Sequence, residues 1–157
     1  MSDLSIRVAG ADDLDAIVDG NRRLALETEG LELDLERLSR GVAAVLCDPR
    51  RGHYWVALQS GEVIGQLMTI PEWSDWRNGE FWWIHSVYVH QDHRRKGVYR
   101  GMYEFILEAA RQQGGVCGAR LYVEKDNQSA QATYRSLGMD VTHYDMFEVD
   151  FVLDRDA

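Results

Sequence analysis

Cysteine is scarce: Cys47 and Cys117 are the two in a chain of 157 residues, and they lie far apart in sequence. Two lone thiols do not make a disulfide framework, so a reducing cytoplasm is the expected compartment. Cys47 and His53 lack a partner pair at zinc-site spacing, and no metal is expected. No run of about 18 apolar residues occurs, so no membrane helix is expected. Met1-Ser2-Asp3-Leu4 lacks a basic region followed by an apolar stretch and does not read as a signal peptide. Basic charge is in deficit, 17 Lys and Arg against 26 Asp and Glu, for a net charge of −9. General nucleic-acid binding needs a basic surface and is not expected. The acidity suits a cationic substrate, and it also suits plain solubility. There are no repeats, linkers or low-complexity segments, and the length fits one domain, 1–157.

Five Trp and seven Tyr supply bulky core material. Leu4 to Val8 alternates as a strand. A helix follows, with Leu14, Ile17, Val18, Asn21, Leu24 and Ala25 on one face. A second helix uses Leu35, Leu38, Val42, Val45 and Leu46 and stops at Asp48-Pro49, because proline disfavours helix in the residue before it. Tyr54–Leu58 and Val63–Ile70 read as strands joined by a turn at Gln59 to Glu62. Pro71 to Gly79 reads as a Trp-rich connection, and Glu80 to Val89 as a buried strand. A helix bearing Met102, Phe105, Ile106 and Ala109 ends at Gly114-Gly115. Ala119 to Val123 alternates as a strand, Asn127 is placed to cap a helix bearing Ala130, Tyr134 and Leu137, and Val141 to Val152 reads as one or two final strands. The order β, α, α, β, β, β, α, β, α, β predicts an α/β fold with a mixed sheet.

The sharpest local feature is Val87-Tyr88-Val89-His90-Gln91-Asp92-His93-Arg94-Arg95-Lys96-Gly97-Val98-Tyr99. A buried strand runs into a basic loop that opens a helix. Backbone N–H groups at a helix start are unpaired, and with the helix dipole they form an anion site. Gly97 lets the backbone approach a phosphate closely. Arg94, Arg95 and Lys96 add charge, although a short basic run also occurs as a solvated corner. The loop is neither a Walker loop nor a Rossmann fingerprint.

This segment resembles motif A of the GNAT superfamily of N-acetyltransferases, an Arg/Gln-x-x-Gly-x-Gly/Ala pattern after a central strand, filled here by Arg94, Gly97 and Tyr99. Tyr99 departs from it, standing where a small residue is usual; it either crowds the pyrophosphate or points away, and Gly101 cannot be assumed to compensate. Leu121 to Asn127, with Ala130, Tyr134 and Gly138-Met139, resembles motif B. The two motifs, in this order over residues 84–138, imply a central mixed sheet flanked by about four helices. They imply acetyl-CoA as co-substrate, its pyrophosphate on the backbone of 94–99 and its pantetheine arm along Val87, Tyr88 and Val89, with Asn127 bonding that arm or only capping its helix. They also imply Tyr134 as the acid that protonates the leaving thiolate, a role a neutral phenol can fill. Dimers are common among proteins resembling this one, so a homodimer is one expectation.

A substrate ammonium cannot attack: with a pKa near 10.4, about one part in 10³ of a lysine-like amine is neutral at pH 7. His85, on the central strand, is the candidate base, with a core histidine as the alternative. On a regular strand His85, Val87 and Val89 share one face, and Ile84, Ser86 and Tyr88 the other. Glu27, Glu29, Glu32 and Asp34 cluster between the first two helices, where they would attract a cation and also hold it protonated. Trp73, Trp76, Phe81, Trp82 and Trp83 suit core, interface or acceptor pocket, Trp82 and Trp83 pointing to opposite faces. Cys117 reads as a small apolar filler. The expected activity is acetyl transfer from acetyl-CoA to a primary amine of a small molecule, a polyamine or amino acid included, or of a protein, directly within a ternary complex. A non-catalytic acyl-CoA sensor is the alternative. An RNA-associated module using the basic run is a third reading, against which the net charge counts.

Overall fold

The computed structural model describes residues 3–153. They fall into two compact units, the first ending at Tyr122 and the second beginning at Val123. The first unit holds strands β1 (Leu4–Val8), β2 (His53–Gln59), β3 (Glu62–Ser74), β4 (Gly79–Val89) and β5 (Val116–Arg120), and helices α1 (Leu14–Glu29), α2 (Leu35–Cys47) and α3 (Val98–Gln113). The second holds helix α4 (Gln128–Ser136). No described helix is long and apolar enough to cross a membrane.

The five strands pair in sequence order. All neighbours are antiparallel except β4 and β5, which are parallel and need the crossover that α3 supplies. The β2–β3 turn places Ser60 at φ 51° and Gly61 at φ 79°, the double left-handed geometry that matches strand twist in a two-residue hairpin. Helices α1 and α2 cover one face of the sheet, where Ile17, Val42, Tyr54 and Val56 form a core with Met68 packed against it. Helix α3 covers the other. A side chain at Gly65 would meet Val98 at 3.2 Å and Met102 at 3.4 Å, and Trp55 packs edge-on to Phe105, 6.1 Å between rings. The buried Trp55 indole donates to Thr69 Oγ1 at 2.9 Å, so its N–H is not stranded in the core.

The helix ends follow the expected chemistry. Asp34 caps α2 by accepting from the Arg37 N–H at 3.0 Å. The buried Asp13, just ahead of α1, is held by both arms of Arg7 at 2.7 and 3.1 Å, which keeps its carboxyl below the usual range.

Three expectations are corrected. The connection predicted from Pro71 to Gly79 is mostly strand, because β3 continues to Ser74 and leaves four turn residues before β4. Trp73 and Trp76 there are 64% and 86% exposed, so they are not core. The strand predicted at Ala119 to Val123 lies earlier, at Val116–Arg120, because pairing with β4 begins at Glu80↔Val116 and ends at Trp83↔Arg120. The strands predicted within Val141 to Val152 are not found among the described residues, and Phe147 and Phe151 are over 90% exposed. An apolar alternation becomes a strand only where another edge takes its N–H and C=O groups, and that segment is assigned to no ladder.

Candidate active site

Strand β4 is not regular. Met68 pairs with His85 and Gln66 with Tyr88, so Ser86 and Val87 together stand opposite Leu67. Ser86 takes up this extra residue at φ 52°, a left-handed conformation that a serine adopts at a cost. The bulge overturns the expected alternation. His85 aligns with Met68, on the α1/α2 face, and Tyr88 also turns to that face, where its hydroxyl donates to Glu27 of α1 at 3.2 Å.

Buried polar groups hold the bulge. The Gln66 amide, 2% exposed, donates to the Ser86 carbonyl at 3.4 Å. Asn21 donates to the Tyr54 hydroxyl at 3.2 Å, and Tyr54 also bonds the Ser86 side chain. Gly20 makes room for this arrangement: a Cβ there would lie 2.1 Å from Gln66 Oε1. A glycine inside a helix and a glutamine inside an apolar strand were the sequence signals, and they become legible only as a pair.

His85 sits in an aromatic setting. Its ring stacks on Trp83 at 6.0 Å and meets Tyr122 edge-on at 5.2 Å. Burial pushes its pKa below the ordinary histidine value, so the imidazole is neutral at neutral pH and able to accept a proton. Pairing with β5 stops at Trp83, so among the described residues the β4 edge from Ile84 to Val89 has no strand beside it on that side. Such an edge can take up an extended, amide-bearing ligand. Next along the face, Phe81 lies under the Arg120 guanidinium at 3.7 Å, which also pairs with Glu72 at 3.1 Å.

Beyond Val89, a short 3₁₀ turn (Gln91–His93) leads into the basic loop. Arg95 at φ 61° and Gly97 at φ 79° are both left-handed, and Gly97 caps the sixteen-residue α3. A Cβ at Gly97 would meet no atom within 4 Å, so the backbone there is open to a ligand. Arg95 and Lys96 are exposed, and Val98, 2% exposed, fixes the far side in the core. A helix start with two exposed cations beside it fits an anion such as a pyrophosphate. Tyr99 leans along α3 toward Tyr103, 6.3 Å between rings, with its hydroxyl buried. Gly101 faces β1 instead, where a Cβ would lie 3.5 Å from Leu4. Arg94 is already engaged. It donates to Glu27 Oε2 at 2.6 Å and to the Val89 carbonyl at 2.8 Å, and it lies over the Tyr88 ring at 5.3 Å.

In the second unit, the Asn127 side chain accepts from the Ala130 N–H at 3.1 Å and so caps α4. Tyr134 projects from α4, and burial raises its pKa above the ordinary phenol value, which keeps its proton in place at neutral pH. Of the four carboxylates expected between the first two helices, Glu27 and Glu29 lie within α1; Glu27 pairs with Arg94, and Asp34 caps α2. Cys117 is exposed, so the expectation of an apolar filler is corrected. Among the described residues no three His, Cys, Asp or Glu side chains converge as a metal site.

The site therefore combines a mixed sheet whose one parallel pair parts beside a bulge with a central strand that runs into a glycine loop at a helix start. The Acetyltransferase (GNAT) family model matches residues 21–139, and the chain belongs to that family. It is 46% identical to a possible acetyltransferase from Clostridium difficile 630, with a TM-score of 0.89 over 96% of this chain and 99% of that one. It is 33% identical over 90 residues to L-amino acid N-acyltransferase MnaT of Escherichia coli (strain K12), a match spanning 55% of this chain and 49%, about half, of that relative's length. A predicted acetyltransferase with acetyl-CoA from Clostridium acetobutylicum shares the fold, at TM-score 0.75 and 19% identity over 95% of this chain and 97% of that one.

Proposed function

We propose that residues 1–157 act as one N-acetyltransferase domain that moves the acetyl group of acetyl-CoA directly onto a primary amine within a ternary complex. The observation that carries this reading is the loop 95–98, with two left-handed residues, open space above Gly97 and a long helix behind it. The family match supports the single-domain reading, since residues 21–139 run from the first unit into the second. The backbone of residues 95–99 would hold the cofactor's pyrophosphate, with Arg95 and Lys96 adding charge. The open edge at Val87, Tyr88 and Val89 would align the pantetheine arm and offer an N–H to the carbonyl oxygen as charge develops there.

His85 would take the proton from the attacking amine, directly or through water, which a neutral imidazole can do. Tyr134 would give its proton to the departing sulfur and Asn127 would bond the pantetheine arm; both assignments rest on the motif B resemblance. The acceptor to try first is an L-amino acid, following the name of the Escherichia coli relative. A panel of L-amino acids, diamines and a peptide, assayed for thiol release from acetyl-CoA, tests the reading. Turnover with L-amino acids, lost in Gly97→Glu, supports it. Binding of acetyl-CoA with no thiol release in the presence of any amine would leave the chain as a binder of acyl-CoA without transfer.

A further inference from the structure

Four groups in the first unit close a ring. Glu27 receives the Tyr88 hydroxyl on one oxygen, at 3.2 Å, and Arg94 on the other, at 2.6 Å. Arg94 then donates to the carbonyl of Val89 at 2.8 Å and lies over the Tyr88 ring. One guanidinium thereby joins the last turns of α1, the end of β4 and the start of the glycine loop. An isolated surface ion pair contributes little. This one is held on three sides, and it leaves Arg94 spent where the loop's motif would use it on phosphate. The loop residues 95–97 then lie between two fixed points, Arg94 and the buried Val98.

We propose that Arg94 and Glu27 form a latch that presets the cofactor loop, with Glu27 as a positioning residue and Arg94 acting through it and not as a phosphate ligand. This rests on the reading of residues 95–99 as the pyrophosphate site. The latch orders loop backbone before the ligand arrives, so that binding does not have to supply that ordering. It also ties the cofactor loop to α1, the helix that leads into the Glu29–Asp34 segment.

The test compares Glu27→Gln, Arg94→Gln and the double variant with the wild type, using CoA titration by calorimetry and amide hydrogen exchange of the free protein. Either single change should weaken CoA about tenfold, the scale set by one or so newly disordered loop residues. The double variant should match the singles within about twofold, because both remove one device. The loss should also appear as a raised KM for acetyl-CoA in each. Exchange at 95–97 should rise equally in all three, and less in Tyr88→Phe, which removes one bond to Glu27 and leaves the ion pair. If Arg94→Gln weakens CoA while Glu27→Gln does not, or if the two losses multiply, the latch is overturned and Arg94 is a direct ligand. If wild type binds no CoA, the loop reading fails, and the exchange result judges the latch by itself: unchanged exchange at 95–97 in Glu27→Gln overturns it.

Discussion

Tyr134 and His85 need opposite things from burial, and each receives a shift that suits its proposed role. An acid must still hold its proton at neutral pH, and burial raises the Tyr134 pKa. A base must have lost its proton, and burial lowers that of His85. Tyr134→Phe keeps the ring and removes the proton, so kcat should fall by about 10²-fold or more with KM for acetyl-CoA little changed. A fall in affinity with kcat preserved would mean that the ring packs and the hydroxyl does nothing. For His85, activity requires the neutral form, so the acidic limb of kcat/KM should lie below the ordinary histidine value. His85→Gln should erase that limb. The same shift has a stability consequence. The unfolded chain takes a proton on His85 at a higher pH than the fold does, so the contribution is complete above the ordinary value of about 6.5 and is lost as pH falls through the lowered one. A wild-type acidic limb unchanged in His85→Gln would assign the base elsewhere. Both residues were legible in the sequence as candidates, one from its motif and one from its strand. What surrounds His85 was not fully legible, because Tyr122 reaches it from beyond the end of β5, at a position where the alternation predicts a strand.

Among the elements, β4 is where sequence reasoning succeeded and then failed. Its extent was legible from its apolar run, starting one residue earlier than expected and ending as expected. Its faces were not, since a period of two holds only while pairing is regular, and the bulge at Ser86 breaks it. The cause lies across the fold, in Gln66 and Gly20, and no local pattern in residues 79–89 contains it. This gives a test whose sign runs against helix propensity. Alanine normally stabilises a helix interior by about 1 kcal/mol over glycine. At Gly20 its Cβ would meet Gln66 Oε1 at 2.1 Å. Gly20→Ala should therefore destabilise by about 1–3 kcal/mol, the cost of overpacking, lowering the thermal midpoint by roughly 2–4 °C per kcal/mol. Gly20→Ala combined with Gln66→Ala should lose this clash while leaving the Ser86 carbonyl without its donor. An unchanged or raised midpoint in Gly20→Ala alone would show that Gln66 moves aside freely. Strand β5 and the region 141–152 were misread for a related reason: strands exist by pairing, and pairing is a property of two segments.

For the whole molecule, the two motifs pointed to the family from residues 84–138, and the family match runs from residue 21 to residue 139. The mixed sheet and its helices followed from the order of periodicities, because each crossover or hairpin is dictated by the element before it. The acceptor was not legible, because acceptor recognition depends on side chains from separated segments converging on one face. The net charge of −9 adds a constraint at this scale. A polyanionic cofactor is repelled by the molecule as a whole, so its binding must depend on a local arrangement strong enough to oppose that field. On this account the loop around Gly97 supplies it. The most direct measurement is titration calorimetry of acetyl-CoA into the wild type and into Gly97→Glu, which places a charged side chain in the open space above the loop. Micromolar binding in the wild type, abolished in a variant that still melts cooperatively, is the predicted result; no binding in the wild type, or equal binding in the variant, would contradict the account.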